Sequence, residues 1–362
     1  MRILYVDYTM NMGGIENFLM NITRRLHKDN KIDFLCYSKK DFIFDDELKQ
    51  MNCNVYKISD PASVSPLKHF KEVKQIIKNG KYDVVHCNTY IDSGYVMLAA
   101  YLCNVKVRIT HSHTSQKSIS FKQRLKWAIG KVLIKIFANN KIACGELAGK
   151  SLFGKSKFLI IENGIDLNKY SFNNDIRTKI RKNYNIKNDE IVIGHVGRFA
   201  EVKNHKFIIE VARHLKEKKI KFKALLLGSG PEKDNIIQMT KDYDLTQEII
   251  FTGDVFDSYN YYNAMDVILF PSLYEGLPLV FVEAQINGLN IVASNTISKE
   301  SNLIGNVCFL DLNDNIDIWA SYIVDKSKSR NENLDYFSHS FYNLDNVVSK
   351  LLSIYNKKNS RG

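Results

Sequence analysis

Two parallel-sheet α/β domains in tandem are what the sequence predicts, on three observations. The chain has 362 residues, room for two domains at roughly 150 residues each. Short β-branched runs alternate with longer amphipathic segments, the pattern of parallel strands joined by crossover helices. That alternation halts once, between residues 165 and 190, and then starts again.

The first series of strand candidates is Ile3–Asp7, Lys31–Tyr37, Cys53–Ile58, Asp83–Cys87, Val105–Thr110, Lys141–Cys144 and Phe158–Ile161. Helical patterns such as Ile15–His27 and Leu67–Asn79 lie between them. Asn163-Gly164-Ile165-Asp166 is a turn signal, and the polar, charged stretch 168–189 reads as the join. The second series is Ile191–Val196, Lys223–Leu227, Ile249–Phe251, Val267–Phe270, Asn290–Ala293 and Val307–Leu310, followed by a helix over Leu344–Tyr355. The expected domains are therefore 1–166 and 167–340, with 341–362 a C-terminal helical segment. Ligands of open parallel sheets sit beyond the carboxyl ends of the strands, so the strand-end loops carry the search for chemistry.

Composition narrows the classes. Hydrophobic residues at 45% and charged residues at 25% are ordinary globular values, which excludes collagen-like and largely disordered chains. Lys and Arg number 51 against 39 Asp and Glu, a formal charge of +12. Such a surface favours anionic partners: phosphorylated small molecules, nucleic acid or an acidic membrane. The six cysteines are scattered without a C-x-x-C pair, against a disulfide scaffold or zinc module and in favour of a reducing compartment. The apolar run at the N-terminus is too short for a secretory signal, and no stretch of about 18 apolar residues exists to span a bilayer.

Several phosphate and metal fingerprints fail. Gly228-Ser229-Gly230-Pro231 follows a strand, but Lys233 stands where a dinucleotide fingerprint needs its third glycine. Gly145 to Ser151 resembles a P-loop with one residue too few between its glycines. Asp242-Tyr243-Asp244 is an isolated D-x-D, read as a solvated turn. Better placed is Gly13-Gly14 at the first strand–helix loop, where small residues let backbone amides approach an anion at a helix N-terminus. In the second series Gly197-Arg198-Phe199 leads to Lys203-Asn204-His205, offering a planar fork and a point charge on one short loop. Most informative is Phe270 to Ala284, a buried-type strand running into a Pro–Gly–Pro loop with Glu275, then an apolar helix holding Glu283. A carboxylate among Val280, Phe281, Val282 and Ala284 is costly to bury unless it accepts hydrogen bonds, which the vicinal hydroxyls of a ribose would supply; the alternative is a buried capping carboxylate.

Glu275 and Glu283 at Glu-x7-Glu spacing, Gly197-Arg198 with Lys203-Asn204, and Gly13-Gly14 together resemble the retaining glycosyltransferases of family four. Asn163 to Asp166 and Gly228 to Pro231 match the same pattern, which covers nearly the whole chain. The resemblance implies the GT-B fold, two Rossmann-like parallel-sheet domains facing each other across a cleft. It implies an acceptor-binding N-terminal domain, a C-terminal nucleotide-sugar-binding domain and a last helix crossing back to the first domain. It assigns Arg198 and Lys203 to the donor diphosphate and Glu283 to the ribose. Glu275, with the backbone of Gly276, Leu277, Pro278 and Leu279, is assigned to the transferred sugar, and Gly13 and Gly14 are to close over the donor. The family also places a histidine near that sugar; His111, taken as the strand end, is the first choice and His113 the second. Catalytic roles thus fall on His111, Arg198, Lys203 and Glu275. His86 and His113 are acceptor-side candidates, with a core histidine the alternative at His86.

The implied reaction is retaining sugar transfer by same-face attack, with neither metal nor other cofactor, to a glycan or polyprenyl-linked glycan in exopolysaccharide or capsule synthesis. UDP-sugars are the expected donors and GDP-mannose the alternative. The competing classes are a dinucleotide-dependent oxidoreductase, which lacks its glycine fingerprint, and a basic nucleic-acid-binding protein, which lacks a recognised module. One further stretch bears on location. Residues 117–141 contain seven Lys or Arg and no acid. Phe121, Leu125, Ala128, Ile129, Val132, Leu133, Ile136 and Phe137 fall at helical spacing. This stripe packs on the N-terminal sheet, lies on anionic lipid, or packs while its lysines face headgroups; the expected location is cytoplasmic, and peripheral at the inner membrane face where headgroups are met.

Overall fold

The computed structural model describes residues 1–11, 13–114, 121–275, 278–331 and 335–357, and for 121–124 and 339 the backbone alone. The chain divides into two compact units. The first comprises Met1–Ile165 with Phe341–Gly362, the second Asp166–Ser340.

In the first unit seven parallel strands form one sheet: β1 (Arg2–Asp7), β2 (Lys31–Cys36), β3 (Asn54–Lys57), β4 (Val84–Cys87), β5 (Val107–Ser112), β6 (Asn140–Ala143) and β7 (Leu159–Ile160). Their order is β3-β2-β1-β4-β5-β6-β7, so the chain reverses direction beside β1 and β4, where such sheets bind ligands. Strand side chains are apolar on both faces because each face carries a hydrophobic cluster. Tyr5, Phe18 and Phe34 belong to one, Leu4, Val85 and Ile134 to the other. The helix Leu344–Tyr355 completes the first cluster with Leu344, Val347, Leu351, Ile354 and Tyr355. Its approach is fixed by Ile165, whose N–H donates to Tyr342 O at 2.7 Å and whose carbonyl accepts from Leu344 N–H at 3.1 Å.

The second unit has six parallel strands, β8 (Ile191–Val196), β9 (Phe222–Leu227), β10 (Ile249–Gly253), β11 (Val267–Phe270), β12 (Asn290–Ser294) and β13 (Val307–Leu310), ordered β10-β9-β8-β11-β12-β13. Here the order reverses between β8 and β11, which places the loops carrying Arg198, Lys203 and Glu275 side by side. The polar stretch after residue 166 is not an open join. It forms the helices Leu167–Tyr170 and Asn174–Asn183, and its polarity is used internally. Arg177 and Arg181 bind the two oxygens of Asp266 at 2.6 and 3.2 Å.

Of the stripe over 117–141, only part packs on the sheet. The helix Phe121–Phe137 is held through Ile134, which is buried, and through Trp127 and the stripe's own Phe137, which pack on the same cluster. A Cβ on Gly130 would come within 2.7 Å of Ile91 O, and one on Gly94 equally close to Gly130 O. The missing side chains allow the two helix backbones to touch. Leu125, Ile129, Val132 and Ile136 are left 70%, 42%, 54% and 63% exposed. No helix among the described residues is long and apolar enough to cross a membrane.

Candidate active site

In the second unit the β8 loop turns through Gly197, Arg198 and Phe199 into the short 3-10 turn Glu201–Lys203. It is held to its neighbours by backbone bonds: Phe199 N–H to Ser229 O at 2.9 Å, and Leu273 N–H to Val202 O at 2.8 Å. Gly228 and Gly230 have φ of +129° and +157°, and a Cβ on either would lie within 2.2 to 2.4 Å of the Gly197 or Phe199 carbonyl. Those glycines fit the β9 loop against the β8 loop rather than completing a dinucleotide fingerprint.

Lys203 Nζ meets Glu275 Oε1 at 2.5 Å, both side chains largely shielded. The same ammonium stands 4.9 Å from the centre of the Phe270 ring. Arg198, on the same loop, is exposed and forms no ion pair among the described residues. Gly276 and Leu277 lie outside the described residues. Pro278 has no N–H, so from this loop the described amide donor is Leu279, first residue of the helix Leu279–Ile286.

Glu283 lies one turn into that helix, half-buried. Tyr262 donates its hydroxyl to Oε2 at 2.6 Å and Tyr170 donates to Oε1 at 3.1 Å. Burial pushes the Glu283 pKa above the usual carboxylate range, and the two tyrosines oppose that shift. The carboxylate is thus satisfied by the protein, and each oxygen keeps a lone pair for a further donor. Both tyrosines escaped the sequence reading. Tyr170 lies in the stretch taken as the join, and no spacing rule links it to a position 113 residues away.

The first unit gathers a second set. Gly13, extended at φ −158°, caps the helix Gly14–Leu26, and Gly14 is exposed. Asp7, at the end of β1, is buried, and desolvation with the nearby Glu16 charge raises its pKa. Three histidine rings of this unit are in contact. His86 Nδ1 is 2.7 Å from Tyr355 Oη and its Nε2 is 3.1 Å from His111 Nδ1. The His111 and His113 ring centres are 3.9 Å apart. Burial lowers all three pKa values, to about 3 at His86 and about 4 at His113.

The geometry separates the two histidine candidates by exposure. Strand β5 runs two residues further than the sequence pattern suggests, because Ser112 still pairs with Ala143. His111 therefore sits inside the sheet with no exposed surface, whereas His113 is the first residue past the strand and retains some. His86 is likewise wholly buried, which favours its core reading over an acceptor-side one.

Elsewhere the fingerprints that failed in sequence have ordinary partners. Lys150 pairs with Glu146 at 3.1 Å, Asp244 with Lys216 at 3.1 Å, and Asp242 accepts from Gln238 at 2.8 Å. Among the described residues no group of three or more His, Cys, Asp or Glu is arranged to hold a metal.

Comparison with known proteins places this arrangement. Residues 12–169 match the Glycosyltransferase Family 4 model and residues 176–307 the model for glycosyl transferases group 1. EpsF of Bacillus subtilis (strain 168) is 34% identical over 369 residues, covering 98% of this chain and 96% of its own. The capsular polysaccharide biosynthesis glycosyltransferase CapH of Staphylococcus aureus is 26% identical and covers 99% of each. Among solved structures, Anabaena Alr3699/HepE in complex with UDP superposes with a TM-score of 0.78 at 20% identity, over 98% of this chain and 99% of that one. Two parallel-sheet units of this build, matched along nearly their whole length, make the chain a member of the group 1, family 4 glycosyltransferases of GT-B fold.

Proposed function

We propose that the protein transfers a hexosyl or N-acetylhexosaminyl unit from a UDP-sugar to a glycan or polyprenyl-linked glycan during cell-surface polysaccharide assembly, with retention at the anomeric carbon and without a metal. The observation that carries this reading is the second unit's strand-end cluster: Arg198, the Lys203–Glu275 pair and Glu283 on adjacent loops and one helix. The name of CapH supports the pathway, and the UDP complex of Alr3699/HepE supports the nucleotide.

Each residue then has a task set by its chemistry. Arg198 and Lys203 hold the diphosphate and stabilise the charge that grows on departing UDP. A diphosphate arriving at Lys203 competes with Glu275, freeing that carboxylate for the sugar hydroxyls. The Leu279 N–H at the helix start adds a donor, and Glu283 accepts from the ribose. The bond from C1 to the phosphate oxygen breaks while the acceptor oxygen bonds C1 on the same face, and the acceptor proton passes to the departing phosphate.

Calorimetric titration with UDP and GDP tests this directly. UDP should bind, and Glu283→Ala should weaken it at least tenfold, about 1.4 kcal/mol. Binding of GDP instead would transfer the reading to a GDP-mannose-dependent enzyme. Failure of both nucleotides would remove it.

The outward stripe Leu125, Ile129, Val132 and Ile136 supports a second element of the reading, an anionic membrane surface as partner. At 100° per residue Lys135 flanks the stripe on one side, while Lys126 on the other is paired with Asp92 at 2.7 Å. The Lys135 charge complements acidic headgroups, while the aliphatic side chains bury in the interface. An acceptor on a lipid carrier would be reached from that surface. Ile129→Glu with Val132→Glu should abolish sedimentation with phosphatidylglycerol vesicles and leave UDP affinity unchanged. Equal binding to neutral vesicles would refute the headgroup role.

A further inference from the structure

We propose that a basic cavity of the second unit, at the amino ends of its strands and opposite the loop of Arg198 and Lys203, binds a small phosphorylated molecule. The inference goes beyond the transferase reading.

The cavity measures about 640 Å³, within the range of small-molecule sites. It is lined by the helix Asn174–Asn183 and the segment leading into β8. Four of its lining residues are cations: Arg177, Arg181, Lys182 and Lys187. Thr178 and Asn188 add neutral hydrogen-bonding groups. Lys187 and Asn188 precede β8 and Arg198 follows it, so the six residues of that strand, roughly 17 Å, separate the cavity from the donor loop.

Opposite charge is scarce here. Arg177 and Arg181 share the one carboxylate of Asp266, at 2.6 and 3.2 Å, and Arg330 donates to the neighbouring carbonyls of Asn263 and Met265. Glu190 accepts from the Lys187 main-chain N–H at 2.6 Å, and Asp189 pairs with Lys221 at 2.6 Å. Lys182 and Lys187 are exposed, and their ammonium groups form no ion pair among the described residues. Burial lowers the Arg181 pKa; Asp266 opposes that shift and Arg177 adds to it. An anion in the cavity would offset the excess charge.

Arg181 also keeps an unused donor. Its guanidinium has five N–H groups. Nη1 donates to Ala264 O and Asp266 Oδ2, both at 3.2 Å, and Nη2 to Lys187 O at 2.8 Å and Glu190 O at 2.6 Å. The Nε–H is buried and has no partner, a costly state for a donor. Guanidinium and ammonium groups together are the usual ligands of phosphate, and a hydroxyl-bearing remainder suits Thr178 and Asn188.

The test starts from the Arg198→Ala, Lys203→Ala variant, which lacks the cations of the donor loop. Calorimetric titration of this protein with pyrophosphate or with glucose 1-phosphate should still show one site. Adding Lys182→Glu and Lys187→Glu, both exposed positions, should weaken that site at least tenfold with Tm nearly unchanged. In the otherwise wild-type chain the same two lysine changes should leave UDP affinity within twofold. No binding of either phosphate at millimolar concentration, or binding that survives the lysine changes, would overturn the proposal. So would binding seen in the wild type and absent from the Arg198→Ala, Lys203→Ala variant, which would assign it to the donor loop. If soluble phosphates fail and the lysine changes instead lower sedimentation with phosphatidylglycerol vesicles, the surface meets lipid phosphate and the soluble ligand is refuted.

Discussion

Glu283 is a carboxylate held in two roles at once. The tyrosine hydroxyls at 2.6 and 3.1 Å favour its ionised form against the cost of burial, and the ionised form is the stronger acceptor for a ribose hydroxyl. The sign follows from its pKa, which burial raises and the tyrosines lower. Tyr262→Phe removes the shorter bond, so the pKa should rise further. UDP affinity in this variant should therefore fall away at a higher pH on acidification than in the wild type, as calorimetry between pH 5 and 8 would show. An unchanged acid limb would mean that Glu283 does not ionise as the ligand binds. Glu283 was legible in the sequence because an acid within an apolar helix is conspicuous. Its tyrosines were not, since tertiary folding alone brings positions 170, 262 and 283 together. The same distinction separates His113 from His111: alternation marks a strand, but where it ends depends on how far its neighbour continues to pair.

At the scale of elements, the helix Phe121–Phe137 shows why periodicity found a stripe and left its direction open. The helix is apolar on both sides, and a moment cannot say which side meets the protein. Gly130 decides it, because only the glycine face can approach the helix that carries Gly94 so closely. Gly130→Val should force the pair apart and destabilise the first unit by about 1–3 kcal/mol, read as a lowered Tm. Substitutions on the outer stripe should leave Tm nearly unchanged, so the two faces are separable by experiment. The polar helices after residue 166 carry the complementary lesson. In the sequence their arginines were part of a polar join, and in the fold they bind Asp266 and the carbonyls of residues 263–265.

For the whole molecule, the strand–helix alternation was enough to read two parallel sheets, because buried parallel strands leave nearly continuous apolar runs. The sheet order was not readable, as it depends on which strands pair across long connections. Residues 341–357 belong with the first unit, where Leu344, Val347, Leu351, Ile354 and Tyr355 fill one face of its core. A chain ending at Ser340 should thus lose several kcal/mol from the first unit while the second unit still binds UDP. Thermal unfolding followed by circular dichroism, with UDP titration of the same sample, checks both halves of that statement. The arrangement also orders events at the ribosome. The second unit is an uninterrupted stretch, complete once Ser340 has emerged, whereas the first unit needs both Met1–Ile165 and the segment beyond Ser340. The unit whose strands emerge earlier is the one completed later, and its unfilled core must be kept from other chains until that segment arrives.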